Sequence, residues 1–441
     1  MIKKLSNNFF NCITLPRLYT TSKLYIPYNK TSDTYVVVEP FVDLKNQLSN
    51  IAILKENLKL RNINLDIDNI YDKWPSFQKT RDEILKLTSF KQSIAVKLKN
   101  SEKLSDMELK KIKNDRYSIS SRLKVLKKQI SDLENEIVIP SLNIPNNLHP
   151  DCPKSEMLYI NNFDNVISNN INKKNHLDIG TTIGCLEYKN SIMVYLKNKA
   201  AMFELATLEY FIESLEKHGF TQLCNSDMVK SVIVEGCGLD SYNPTTTLKL
   251  EADNLHLVGG ANLLTLCALL TKQCIAGNRL PLKIYASGRL YKFPSFYDEG
   301  LFSTVQSNAV HYLIGSACEF QAKEQFDKMV YMYKKLYDEI GINYRIVYLP
   351  ASKLENWESL KAQVELYSIS NEKYYTAGTI SLSNDFITKR LRIYYSNKKK
   401  EKLYLNMVSG KIVDVNVLLG CILEYNINEL NIPNCIKEYM I

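Results

Sequence analysis

The 441-residue sequence predicts an α+β fold, a mainly antiparallel sheet with flanking helices preceded by an antiparallel helical hairpin, a coiled-coil arm. Three observations predict it. Ile119, Leu123, Leu126, Ile130, Leu133 and Ile137 recur at alternating steps of four and three, the heptad spacing of a helix lying along another helix. The polar stretch from Lys99 to Asp106 separates that pattern from an earlier helical one. Past Pro140, short β-branched and aromatic runs alternate with helical patterns, and most of the runs can join as antiparallel neighbours.

In chain order, an extended segment is expected at Tyr35 to Phe41 and a helical stretch around Asp43 to Arg61. After Trp74-Pro75, the first arm of the hairpin reads from Ser76 to Leu98 on apolar Ile84, Leu87, Ile94 and Leu98, and the second from Met107 to Val138. At 1.5 Å per residue the first arm is roughly 35 Å long. Strands are expected at 193–196, 255–258, 283–286, 344–348, 391–395 and 403–407, and helices at 199–218, 260–273, 322–340 and 415–425. The organisation that follows is a leader and tail at 1–34, an N-terminal domain at 35–154 with the hairpin at 76–138, and a sheet domain at 155–441.

Charge and composition narrow the function classes. The formal net charge is +9, and from Lys79 to Lys128 basic residues far outnumber acidic ones. A basic rod suits a polyanion, because each lysine or arginine that meets a phosphate releases counterions. Lys97, Lys99, Lys103, Lys110, Lys111, Lys113, Arg116, Arg122, Lys124, Lys127 and Lys128 are the candidate RNA-binding residues; the alternative is a solvated coiled-coil surface. No apolar run is long enough to cross a membrane, so no membrane insertion is expected. The ten cysteines lack CxxC spacing and the five histidines lie far apart, which argues against a zinc site and for reduced, mostly buried thiols. The first 32 residues carry Lys3, Lys4, Arg17, Lys23 and Lys30 and no acid, interleaved with apolar and hydroxyl residues. That is the composition of a mitochondrial transit peptide, and it implies the matrix; the alternative is a disordered tail.

The segment Ile144-Pro145-Asn146-Asn147-Leu148-His149-Pro150-Asp151-Cys152-Pro153 resembles the linker that joins arm and catalytic domain in seryl-tRNA synthetases. Further matches keep that family's order: Lys199 to Ala206, Glu235-Gly236-Cys237-Gly238, Leu280-Pro281-Leu282-Lys283, Ser381-Leu382-Ser383-Asn384 with Asp385-Phe386, and Ile422-Leu423-Glu424. The resemblance spans about residues 40 to 430. It implies a class II aminoacyl-tRNA synthetase fold, a dimer, an arm that reaches tRNA(Ser) and, were the site intact, serine, ATP and Mg²⁺ as ligands.

The residues that would perform the chemistry are replaced. Where the family has Thr-Ala-Glu this chain has Gly260-Ala261-Asn262; where it has an arginine and a glutamate in motif 2, Lys292 and Pro294 stand. Ser303, Val305, His311 and Gly378 replace an arginine, a histidine and two glutamates, and Val417 replaces the motif 3 arginine. No arginine follows Arg392. Lysine cannot reproduce a bidentate guanidinium fork, and each lost charge-stabilising donor costs about 10² to 10³ in rate. No catalytic residue and no cofactor is therefore expected. With arm and linker kept, the resemblance is greatest to the non-catalytic mitochondrial paralogues of this family known from insects. It implies tRNA(Ser) and the active mitochondrial seryl-tRNA synthetase as partners, in a homodimer or heterodimer. The alternatives are a protein-binding regulatory subunit with little RNA binding, or a divergent active ligase.

Overall fold

The computed structural model describes Ser22, Leu24 and residues 44–99, 106–163, 174–243, 246–251, 254–295, 298 and 300–440. Apart from Ser22 and Leu24, the expected leader and the extended segment at Tyr35 to Phe41 lie outside these residues. Contacts divide the chain into two compact units, residues 66–142 and residues 44–65 with 143–440. The division falls at Asp66 and Leu142, whereas the sequence grouped 35–154 together.

Helices α1 (Leu44–Ser49) and α2 (Ile51–Leu60) occupy the stretch expected as one helix. Asn50 separates them, its extended backbone and its side chain, which accepts from the Ile53 N–H, acting as the N-cap of α2. The hairpin consists of α3 (Ile67–Lys99) and α4 (Asp106–Leu133). Ion pairs Arg122–Glu83 and, just past the end of α4, Lys73–Glu136 accompany their antiparallel register. The first arm begins nine residues before its expected start and runs through Pro75, giving it about 50 Å of length. A proline inside a helix costs about 3 kcal/mol. Here buried Ile67, Ile70 and Phe77 on both sides of it, and Trp74 stacked on Phe77 at 5.4 Å, offset that cost. Ile119, Leu123, Leu126 and Ile130 are buried as the heptads require. After Leu133 the chain winds as a π-helix from Glu134 to Val138, so the heptad phase slips: Leu133 is half-buried and Glu134 is buried.

The second unit is built on an eight-stranded sheet. Its strands are β1 (Leu158–Phe163), β2 (Thr221–Leu223), β3 (Leu282–Tyr291), β4 (Gln306–Ser316), β5 (Tyr344–Tyr348), β6 (Leu360–Ser368), β7 (Lys373–Asn384) and β8 (Asn406–Asp414), in the order β1-β5-β6-β7-β8-β4-β3-β2. All neighbours are antiparallel except β2 and β3. Helices α5 (His176–Thr182), α6 (Lys199–Lys217), α7 (Ser231–Gly236), α8 (Leu263–Leu270), α9 (Glu319–Ile340), α10 (Phe386–Leu391) and α11 (Val415–Leu423) accompany it. Alternation along the strands makes two cores. Val310, Tyr312 and Ile314 pack with α6, α9 and α11, while Ile284, Ala286 and Leu313 pack with α7, α8 and α10.

The α+β expectation thus holds, with two corrections. The run at 391–395 ends helix α10 and becomes a strand only at Tyr394–Ser396, because Arg392 takes a left-handed backbone that terminates the helix. The run at 403–407 divides between a short strand, Lys402–Tyr404, and β8. The central strands β4, β6 and β7 carry no expectation, since serine, threonine and charged residues interrupt their apolar pattern on the face described next.

His176 and Glu424 tie α5 to the end of α11. Leu301 donates its N–H to His176 Nε2 at 3.0 Å, so the ring carries its proton on Nδ1 and donates it to Glu424 Oε1 at 3.0 Å. Ser368 and Ser370 hydroxyls and the Ser370 N–H complete the carboxylate's shell. Burial opposes ionisation of Glu424, yet these hydrogen bonds hold its carboxyl below the ordinary range. A depressed carboxyl pKa contributes stability that is present above the unfolded value and lost as pH falls through the folded one. Glu424→Gln should therefore cost about 2 to 4 kcal/mol at neutral pH and flatten the fall of melting temperature with acidification. Thermal melts of both proteins across the acid range check this; parallel curves would show that Glu424 does not titrate with folding.

Candidate active-site cavity

A cavity of about 520 Å³ opens on the α7/α8 face of the central strands. Its floor is polar because β6, β7, β8 and β4 place Lys361, Ser381, Ser409 and His311 on that face, with Lys361 opposite Ser381 and Ser381 opposite Ser409. One wall is apolar, with Cys237, Leu239, Leu263 and Leu264, and another is the loop from Glu355 to Glu358.

The buried carboxylates of Glu358 and Asp414 are paired within the chain. Glu358 accepts from Lys361 Nζ at 2.9 Å, from Ser381 Oγ at 2.7 Å and from the Glu355 N–H at 2.9 Å. Asp414, at the end of β8, receives Lys292 Nζ at 3.0 Å and Lys411 Nζ at 3.1 Å on one oxygen, Oδ2. Burial disfavours the charged form of Asp414, but the two ammonium groups hold its carboxyl below the usual range. Burial also pushes the Lys411 ammonium down. His311, beside Lys411, is pushed by burial and by that charge to about 3, so its ring is neutral. Its Nε2 and the Ser409 hydroxyl are buried with no hydrogen-bond partner among the described residues.

The structure brings some of the positions singled out by the resemblance together and leaves others apart. Asn262 lines the cavity, but its side chain caps α8, accepting from the Leu264 N–H at 2.9 Å and donating to Val258 O at 3.3 Å. Gly260 donates its N–H to Asp227 at 2.7 Å. Pro294 is half-buried just past β3, and Ser303 is buried and donates to Ser295 O at 3.0 Å. Val305 engages by its backbone, donating to Ser191 O and accepting from the Lys292 N–H. Val417 is buried in the α6/α9/α11 core. Gly378 faces that core as well: a Cβ there would stand 3.0 Å from Tyr333 Cε1 and from Ile412 O, and its neighbour Thr379 is the residue that lines the cavity.

Of the arm residues, Lys110, Lys111, Lys113, Arg116, Lys124 and Lys128 are exposed. Lys127 is half-buried, and Arg122 shares its charge with Glu83 at 2.8 Å. Lys97 and Lys99 belong to α3, with side chains outside the described residues, as is all of Lys103.

Arg61 is the residue that sequence reasoning missed. It is buried at the end of α2 and donates to Asn57 Oδ1 at 2.9 Å, Glu355 O at 2.9 Å, Glu358 O at 2.5 Å and Asn146 O at 3.1 Å. Asn146 in turn donates to Asn356 O, Trp357 O and Ser383 O. Linker and α2 thereby fix the loop that walls the cavity. The four-residue spacing of Asn57 and Arg61 was the available signal.

Residues 248–426 match the family described as tRNA synthetase class II core domain (G, H, P, S and T). The chain is 24% identical over 428 residues, 92% of its length and 89% of the relative's, to the serine–tRNA synthetase-like protein Slimp of Drosophila melanogaster. It is 20% identical to the mitochondrial serine–tRNA ligase of Mus musculus, covering 91% of this chain and 83% of that one. The crystal structure of seryl-tRNA synthetase from Pyrococcus horikoshii complexed with ATP superposes with a TM-score of 0.78 at 19% identity, over 91% of this chain and 98% of the other.

Proposed function

Starting from a seryl-tRNA synthetase-like chain that carries a class II tRNA synthetase core domain, we propose a non-catalytic paralogue that binds tRNA(Ser) and makes no seryl-tRNA. One observation carries the catalytic half of this reading. The lysine at the motif 2 arginine position, Lys292, is ion-paired to the buried Asp414 of its own chain, and the motif 3 position, Val417, is buried in a hydrophobic core. Neither can meet a nucleotide as a free cation. His311 is neutral and Asn262 is committed to a helix cap, so no carboxylate stands at either position to receive an amino group. Nucleotide binding is lost with the catalysis.

Exposed Lys110, Lys111, Lys113 and Arg116 on the arm support RNA binding. The likeness to Slimp and to a mitochondrial ligase, together with the basic, acid-free leader, supports a mitochondrial protein of the matrix. Ile192, Met193, Tyr195, Met202 and Leu205 are exposed apolar residues near and on α6, and they support a dimer with a second copy or with the active mitochondrial seryl-tRNA synthetase. Phe211, Ile212 and Leu215, further along the same helix, belong instead to the core.

Purified protein given serine, ATP and mitochondrial tRNA(Ser) should form no seryl-tRNA and support no serine-dependent pyrophosphate exchange, while retaining tRNA in a filter-binding assay. Turnover in either reaction would overturn the reading.

A further inference from the structure

Asp414 stands at the N-cap position of α11, but its side chain makes no cap hydrogen bond. Unmet N–H groups and the helix dipole make such a terminus favourable for an anion. Two further cations converge there, Lys292 from the end of β3 and Lys411 from β8, both on the single oxygen Oδ2. The other oxygen, Oδ1, is buried with no hydrogen-bond partner among the described residues. A carboxylate serving a helix cap would use an oxygen on the N–H groups; this one is turned to the ammonium groups. Lys292 keeps about a third of its side chain exposed, so the cluster is reachable from solvent.

We propose that Asp414 is a resident anion: it fills, from within the chain, a site of two ammonium groups and a helix N-terminus whose free ligand would be an oligophosphate. The carboxylate then sets the specificity of the region by excluding anions. This rests on the reading above that the protein does not bind nucleotide, and it supplies the physical cause. One carboxylate neutralises one of the two ammonium charges outright and shares itself with the other, leaving little for an external phosphate to gain against its own desolvation. Replacing the carboxylate by a carboxamide of the same shape removes the competitor and keeps an acceptor for one lysine.

The test is titration calorimetry with inorganic pyrophosphate on four full-length proteins. Wild type should show no binding. Asp414→Asn should bind at least about tenfold more tightly, since both ammonium groups are left without a counter-charge. Lys292→Met added to Asp414→Asn should abolish the gain. Glu438→Gln, which makes the same change of net charge at an exposed site, should behave as wild type. Binding by wild type would overturn the nucleotide-free reading; a folded Asp414→Asn that ignores pyrophosphate would overturn the resident-anion inference alone. If Asp414→Asn does not fold by itself, refolding with pyrophosphate present should recover it, and failure to recover equally overturns the inference.

Discussion

Neutralising Lys110, Lys111, Lys113 and Arg116 together should weaken tRNA binding at least about tenfold and reduce the slope of log affinity against log salt by up to about four, one for each phosphate no longer neutralised. All four lie on the exposed side of the first turns of α4, and none of them has, among the described residues, a carboxylate partner of the kind that Arg122 has in Glu83. Folding should be nearly unchanged, because exposed charges contribute little to stability. Leu126→Ala is the contrasting variant. Its side chain is buried between the helices, and its loss should cost about 2 to 5 kcal/mol and loosen the arm. Titrations of tRNA at several salt concentrations, with circular dichroism on each variant, separate the outcomes. Equal affinity and equal slope for the charge variant and wild type would remove RNA reading from the arm and leave the basic rod as a solvated coiled coil.

Arg61→Met should lower stability by about 3 to 5 kcal/mol, roughly 10 °C in melting temperature for a unit of this size. The guanidinium is buried, and its removal leaves the Glu358 carbonyl without its donor and takes one of two donors from each of the Asn146 and Glu355 carbonyls. Arg61→Lys should recover only part of the loss, because an ammonium cannot span acceptors on the linker and on the 355–358 loop in one plane. Burial already pushes the Arg61 guanidinium down to about 10, so the wild-type charge itself persists at neutral pH. A drop in melting temperature of under about two degrees for the methionine variant would show that the linker is held without Arg61.

The legible parts of this protein are those where one periodicity governs a long run. Ile119, Leu123, Leu126 and Ile130 announce the hairpin because each is buried by the same partner helix at the same interval. The hairpin's length escaped because Pro75 looks like a boundary, and nothing local shows that Ile70 and Phe77 are buried on its two sides. Strands β4, β6 and β7 escaped for the opposite reason: one face carries His311, Lys361, Thr379 and Ser381 toward the cavity, which breaks the apolar run by which a central strand is recognised. For the cavity, the sequence singles out residues but does not show where they point. Lys292 reads as a weakened anion binder until Asp414, 122 residues away, is seen beside it. Gly378 reads as a lost carboxylate, although its Cα faces Tyr333 and the core.

That orientation of Gly378 bears on what a larger side chain there would meet. A glutamate restored at 378 would drive a carboxylate against Tyr333 and the Ile412 carbonyl, where burying an unpaired charge costs several kcal/mol. An arginine restored at 292 would meet Asp414 before any ligand, and one restored at 417 would have to leave a packed helix face. Each single replacement is thus penalised by the present neighbours of that position. On the proposed non-catalytic reading, changes toward a catalytic site would help only in combination, so single substitutions would lead away from such a site more easily than toward it.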